Sequence, residues 1–409
     1  MSVAARDRPD TLAGACAPAA RKPSAHFVDR GTMRALFVTS PVLSHIFPTV
    51  PLAHALRAAG HDVRYAVGDA LDAVTAAGLH AVDITPGLDY TKVWVPDGAE
   101  DPMYVEDAGV EFLATLFGRV SGVEVDGALE VARSYRPDLI VHSAAQGAGA
   151  LAAAALGIPC VELPLGPADS DPRLAGLLRE AMKGDYERHG IPGTPPRTVR
   201  IASVPERLAP LLPGGERPEH EWSMRYVPYN GGAVLPDWLS RPADRPRIAV
   251  TLGSIGAQWG GITVLAPLVA AAGEVDAEFV LTLGGGDVEL LGELPRNVRT
   301  VEWVPLAPLL ETCAGIVHHA GSGTLLTAMT LGVPQCVLPD GAYQRANSDL
   351  LVGSGAGFAV DAAEIGAAEC RRLLEDPALR TAALGLRDEL RGTMPSPAAL
   401  VPRLEELAA

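Results

Sequence analysis

The chain has 409 residues, 48% of them apolar, and carries 33 Lys and Arg against 49 Asp and Glu, a formal net charge of −16. This length predicts about two or three domains and is far beyond a disulfide-stapled miniprotein; the apolar share excludes a disordered chain, which could not bury enough surface to fold. The acidity argues against a nucleic-acid partner, because neutralising phosphates requires a basic face.

Residues 1–32 hold Pro9, Pro18 and Pro23 with mixed charges and no periodicity. They lack the continuous apolar run of a signal peptide and read as a disordered leader, real or an overlong start. From Met33 short apolar runs alternate with helical segments. Arg34–Thr39 reads as a buried strand. Pro48–Ala59 reads as a helix, with Pro at its start and Gly60 just past its end. Asp62–Val67 is a strand, followed by a helix to about Ala77. Asp138–His142 and Cys160–Leu163 are strands flanking an Ala-rich helix. The uncharged stretch Leu139–Val161 is long enough for a membrane span, but His142, Gln146, Pro159 and its glycines favour strand, loop, helix and next strand; no span is expected. The pattern restarts at Arg247–Leu252 and continues with strands at Glu278–Leu283, Val298–Trp303, Gly315–His318 and Gln335–Leu338.

Alternating strands and helices predict parallel sheets with helices on both faces. The expected fold class is α/β, with two doubly wound domains facing across a cleft. One covers 33–226 and the other 247–392, joined by a linker rich in Pro, Gly and Asp at 227–246. The tail, 393–409, is expected to be a helix packing back on the first domain. Ligands bind beyond the carboxyl ends of such strands. The chemistry should therefore lie at Ser40–Pro48, His142–Gln146, Gly253–Gly260, Gly284–Asp287 and His318–Thr324. The five cysteines, Cys16, Cys160, Cys313, Cys336 and Cys370, have no metal-binding spacing. They read as small buried hydrophobes in a reducing cytoplasm.

The most informative stretch is WVPLAPLLETCAGIVHHAGSGTLLTAMTLGVPQCVLPDGAYQRAN, Trp303 to Asn347. A strand ends at His318–His319, the turn Ala320-Gly321-Ser322-Gly323 follows, and Thr324 opens a helix. Glycines let a phosphate approach the backbone, and the free N–H groups and dipole of a helix start favour an anion. No Lys follows the glycines, so this is not a Walker A loop, and neither first strand is followed by GxGxxG. Taken alone the turn is equally an ordinary glycine-rich connection. A second candidate is His45, at the cleft edge between the first strand and first helix. An imidazole of pKa about 6.5 can accept the proton of an attacking hydroxyl at neutral pH.

The order W-x-P, L-L, H-H-x-G-x-G-T, G-V-P and then P…Q..N resembles the nucleotide-sugar signature of family 1 glycosyltransferases of the GT-B fold, two Rossmann-like domains across a cleft. More narrowly it looks like the actinobacterial enzymes that attach deoxysugars to antibiotics and other natural products. Arg225–Leu239 and Thr393–Leu407 also look like that group. The resemblance spans Met33 to the end and is strongest in the C-terminal half. It implies that Trp303 lies by the nucleobase, with Val304 backbone groups at its edge. His319, Gly321, Ser322, Gly323 and Thr324 should hold the diphosphate, His318 should support the turn, and Gly253 and Ser254 should face phosphate or sugar. Gln344 should contact sugar hydroxyls. Many relatives carry an acid just before that Gln; Tyr343 stands here, and an aromatic face suits a less hydroxylated sugar. Thr327 stands where UDP-sugar enzymes of plants carry a ribose-binding Glu. Both departures favour a TDP-deoxysugar. No metal or other cofactor is expected, since a helix dipole and hydrogen bonds can offset the charge of the leaving diphosphate.

The segment S-H-x-x-P around His45 matches the family's catalytic base. The residue that usually orients this His is an Asp after the fourth strand, where Ser143 stands here, so Ser143, His142 or a carboxylate from elsewhere takes that task. A weakly supported base suits an acidic hydroxyl or a carbon nucleophile. The acceptor region is expected at Thr85–Gly122 and Gly166–Arg200, with Trp94, Phe112 and Phe117 as candidate contacts to a hydrophobic polyketide-like aglycone, although such residues also serve as core. The expected enzyme is an inverting glycosyltransferase. Its competitors are a nucleotide-sugar epimerase of the same fold and a non-catalytic, sugar-nucleotide-binding auxiliary homologue. Some relatives need an activating partner protein, and a homodimer is a further possibility for this chain.

Overall fold

A computed structural model describes residues 31–95, 109–215, 221–253 and 261–409. All but the end of the expected leader, together with Met103, Tyr104 and Ser254, lies outside the described residues. Among those described, seven parallel strands form the first sheet: β1 (Arg34–Val38), β2 (Asp62–Val67), β3 (His80–Asp83), β4 (Leu139–Ser143), β5 (Cys160–Leu163), β6 (Thr198–Ala202) and β7 (Glu221–Ser223). Their spatial order is 3-2-1-4-5-6-7. Helices α1 (Val50–Ala58), α2 (Val110–Tyr135) and α3 (Gly147–Leu156) flank it. The second sheet is also parallel, with β8 (Arg247–Thr251), β9 (Glu278–Thr282), β10 (Val298–Val301), β11 (Gly315–His318), β12 (Gln335–Val337) and β13 (Gly357–Ala359) in the order 10-9-8-11-12-13. Its helices include α4 (Ser322–Leu331) and α5 (Ala342–Ser354), and the chain ends in α6 (Pro397–Ala408).

The apolar run of β1 follows from burial on both sheet faces. Phe37 enters one core with Leu52, Leu56 and Tyr65, while its neighbours Leu36 and Val38 enter another with Leu129 and Leu151. β8 repeats the arrangement, with Ile248 and Val250 on one face and Ala249 on the other. Helix α6 returns to the first sheet: Leu400, Val401, Leu404 and Leu407 fall on one helical face and join the core of Phe37. Beside them His61 Nε2 stands 3.1 Å from Glu405 Oε1. Between the sheets, residues 227–246 run without strand and contain one short turn of helix, Asp237–Ser240.

Each sheet reverses its winding once, at β1/β4 and at β8/β11. Ligand crevices open at such switch points. The register pairs Val38 with His142 and Thr251 with His318. Residues 39–45 therefore emerge beside Ser143, and Gly253 emerges beside His319.

Candidate active site

His45 lies in a single helical turn, Leu43–Ile46, directly after β1. It is 7% exposed, and burial drives its imidazole down to about 3, so it is neutral at any working pH. Phe117 of α2 stacks on it at 4.9 Å between ring centroids and 23° between planes. Trp94 meets Phe117 edge-on at 5.7 Å. Arg119 holds Trp94 in place by donating to the carbonyls of Val93 and Trp94 at 2.7 and 2.9 Å. Of the three predicted acceptor contacts, Phe117 thus meets the candidate base and Trp94 meets Phe117; Phe112 is half-buried on the same helix, outside this ring stack. Ser143 Oγ stands 3.5 Å from His45 Nδ1, at the limit of a hydrogen bond. Among the described residues no carboxylate bonds that imidazole. His142 engages the Ser143 carbonyl through its Nδ1 at 3.0 Å. The turn carrying Ser143 is fixed from several sides. Gln146 N donates to Ser143 O, Ser40 Oγ donates to Ala145 O, and Ser121 Oγ accepts from Gly147 N.

At the second switch point, His319 is cradled by two glycines. A Cβ on Gly253 would stand 2.7 Å from its Cε1, and one on Gly321 would stand 2.5 Å from its Nε2. Its Nδ1 is buried with no partner among the described residues, and burial lowers the ring to about 4. Its neighbour His318 is satisfied. Nε2 lies 2.9 Å from Gln335 Oε1 and Nδ1 accepts from Ala320 N at 3.2 Å, which supports the turn through Ala320, held at φ 64°. Gly321 caps α4 without a side chain, so the first-turn N–H groups face out of the helix unsatisfied. Ser322 and Thr324 bring buried hydroxyls to that end, and Gly323 lies between them. Such a helix start, with a neutral imidazole able to donate one hydrogen bond, can hold an anion without any Lys or Arg.

Trp303 is 48% exposed, an open aromatic face, whereas Val304 is buried. Gly231 of the connecting segment, at φ +79°, brings its backbone between Phe47 and Trp303, with its Cβ direction 3.6 Å from each ring. Asn230 beside it donates to Thr327 Oγ1 at 3.4 Å and accepts from Ala307 N at 3.0 Å. Gln344 is half-buried at the start of α5, with its Oε1 near Gly341.

Tyr343 brings an acid to the site from an unexpected direction. Its hydroxyl meets Ser322 Oγ at 2.9 Å and Asp169 Oδ2 at 3.3 Å, so a carboxylate arrives from the first-sheet half instead of from position 343. Sequence reasoning passed over Asp169, Asn230 and Asn347. Asn347 closes the P…Q..N segment, and that polar residue was the available signal; its Nδ2 ties Ala320 O and Ser322 Oγ together at 2.9 Å each. Asp169 and Asn230 lie in irregular segments that carry no motif.

Models of the erythromycin biosynthesis protein CIII-like N-terminal and C-terminal domains match residues 54–253 and 266–407. The elloramycin glycosyltransferase ElmGT of Streptomyces olivaceus is 38% identical over 91% of this chain and 97% of its own length. The fold is similar to the crystal structure of the glycosyltransferase SnogD from Streptomyces nogalater, with a TM-score of 0.86 and 60% identity over 93% of this chain and all of that one. It is also similar to the glycosyltransferase SsfS6 of Streptomyces sp. SF2575 complexed with thymidine diphosphate, with a TM-score of 0.77 and 29% identity over 91% of this chain and 99% of that one.

Proposed function

The chain belongs to the erythromycin biosynthesis protein CIII-like family and is a nucleotide-sugar-dependent glycosyltransferase of the GT-B fold, and from that premise we propose that it moves a deoxysugar from a TDP-sugar to a hydrophobic polyketide-like acceptor with inversion at the sugar carbon. His45 is the base. With its proton on Nδ1, held towards Ser143, the imidazole leaves Nε2 to take the acceptor's proton as the acceptor oxygen attacks C1′ from the face opposite the diphosphate. The C1′–O bond to the diphosphate breaks, and the departing charge falls on the start of α4, on His319 and on the hydroxyls of Ser322 and Thr324. Trp303 stacks on the base of the nucleotide. Gln344 faces the sugar, and the Trp94–Phe117 pair faces the acceptor.

The observation that carries this reading is the opposition of two unlike sites: a buried neutral imidazole under an aromatic stack at one switch point, and a glycine-cradled anion site at the other. The donor is supported by the thymidine diphosphate bound by SsfS6 and by the consumption of Thr327, which donates to Gly323 O at 2.6 Å and accepts from Asn230. That leaves Thr327 no hydrogen to donate to a ribose hydroxyl. Replacement of His45 by Ala should lower turnover by about 10²- to 10⁴-fold. Nucleotide binding should be nearly unchanged. Turnover that survives the change removes His45 as the base; a wild-type protein that binds thymidine diphosphate but transfers from no TDP-sugar, even with an activating partner protein supplied, is the auxiliary homologue instead.

A further inference from the structure

Asp169 lies in the short turn Pro167–Ser170 after β5 and is only 4% exposed. Its Oδ2 accepts from Leu165 N at 3.2 Å and from Tyr343 Oη at 3.3 Å. Tyr343 Oη is 2.9 Å from Ser322 Oγ, and Ser322 is the first residue of α4. The backbone of the same turn presses on that helix start: a Cβ on Gly166 would stand 2.3 Å from Ser322 Oγ. A continuous line of exchangeable protons therefore runs from the first-sheet half to the anion site of the second.

The direction of that line is set by a single proton. Asn347 Nδ2 donates permanently to Ser322 Oγ, so that oxygen has one further lone pair and one hydrogen to place. With Asp169 protonated, its O–H donates to Tyr343, Tyr343 donates to Ser322, and the Ser322 hydrogen is left for a ligand at the helix start. With Asp169 ionised, Tyr343 donates back to the carboxylate, Ser322 donates to Tyr343, and the hydrogen turns away from the ligand. The charged and titratable groups facing the Asp169 carboxyl are Tyr343 of α5, Glu162 of β5 and Arg200 of β6. Arg200 spends Nη2 on the Asp169 main-chain oxygen at 2.6 Å, and its Nε lies 3.4 Å from Glu162, so it does not pair the carboxyl directly. Burial accordingly prevails and holds the Asp169 carboxyl up at about 6.

We propose that Asp169, Tyr343 and Ser322 form a proton chain that delivers a proton to the departing diphosphate. The inference rests on the placement of the diphosphate at α4. As C1′–O breaks, the electron pair stays on the phosphate oxygen. The Ser322 proton passes to that oxygen, the Tyr343 proton to Ser322 and the Asp169 proton to Tyr343. Asp169 is left as the carboxylate while the acceptor's proton rests on His45. Release of one proton from His45 to water and uptake of one by Asp169 restore the enzyme.

The test is calorimetric titration of the whole enzyme with thymidine diphosphate between pH 5 and 8, in buffers of different ionisation enthalpy. The wild type should take up close to one more proton than D169N on binding above about pH 6, and its Kd should rise by up to about tenfold per pH unit relative to that variant. The diphosphate's own titration is common to both proteins and cancels. D169N should still bind at high pH, since an amide can donate to Tyr343, yet turn over poorly. Y343F, which keeps the carboxyl but cuts the chain, should lose the same excess uptake. Equal uptake in wild type and D169N, or full uptake in Y343F, overturns the chain while leaving the donor site standing. Absence of thymidine diphosphate binding in every buffer overturns the donor site and the chain together.

Discussion

His45 can donate from Nδ1 to Ser143 Oγ across 3.5 Å, and the other nitrogen is then free to accept. A hydroxyl orients the ring but carries no charge to offset the imidazolium that forms, and the aromatic stack above it excludes water. The base is therefore suited to acceptor hydroxyls that are themselves acidic, phenols or enols. Ser143→Asp should stabilise the imidazolium and move the acid limb of kcat/KM upward from about 3. It should also raise the rate on aliphatic alcohols more than on phenols. An unmoved limb in a folded S143D protein would show that position 143 is not coupled to the base. Ser143→Ala removes only a long neutral contact worth about 0.5–1.5 kcal/mol, so its kcat should fall by no more than about tenfold. These residues were legible in the sequence because each stands within a few positions of a strand end. The Tyr343–Asp169 contact was not legible: 174 positions and the change from one sheet to the other separate its members, and no local spacing encodes it.

Helix α2 shows why elements differ in legibility. Its 26 residues contain Gly118, Gly122 and Gly127, which weaken any helical pattern, and its first part falls in a stretch expected only to contribute acceptor contacts. The structure gives two of those glycines a packing reason. A Cβ on Gly127 would stand 2.0 Å from the Ile84 carbonyl oxygen, and one on Gly118 2.7 Å from the Ala181 Cβ. The helix lies unusually close to its neighbours, and this close approach is what brings Phe117 over His45. The ends of strands β1 and β2, by contrast, are placed by the sequence within a residue. Gly127→Ala meets backbone and should destabilise by at least about 1–3 kcal/mol, with a corresponding fall in Tm. Gly176→Ala, in helix Leu174–Ala181 with nothing within 4 Å of its Cβ direction, should stabilise by about 0.4–1 kcal/mol. Leu404→Ala, in the fully buried face of α6, should cost about 2–5 kcal/mol. If urea melts put Leu404→Ala close to wild type, α6 does not anchor the first core in solution.

Across the whole molecule, buried groups of both kinds make stability depend on pH in two opposed ways. Burial lowers His45 and His318 to about 3 and His319 to about 4, while the unfolded chain binds these protons near the ordinary 6.5. Between those limits the unfolded state holds more protons, so stability falls as pH falls, each ring contributing up to about 1.4 kcal/mol per pH unit. Two carboxyls act in the opposite sense. Glu124, fully buried and bonded by Tyr90 Oη at 2.7 Å and Gln146 Nε2 at 2.5 Å, is held up at about 7, and Asp169 at about 6. Their protons favour the native state and are lost as pH rises through those values. Above about 6.5 the Glu124 contribution declines as pH rises, and so does that of His142, whose pKa is raised against the pull of burial by contacts with Cys160, Glu162 and the Ser143 carbonyl. Between about 6 and 4.5 the three rings outweigh the two carboxyls by one proton, so stability declines gently on acidification. Below about 4 the carboxyls are protonated in both states and the rings alone steepen the loss, aided by Asp171 and Glu278, whose Arg partners hold them low. Tm should therefore peak at about pH 6–6.5, with a shallow alkaline limb and a steep acid limb. Glu124→Gln, which keeps the shape of the protonated side chain, should flatten the alkaline limb and leave the acid limb nearly intact. An alkaline limb that persists unchanged in E124Q would mean that Glu124 is ionised in the native protein, held by its Tyr90 and Gln146 donors against the pull of burial.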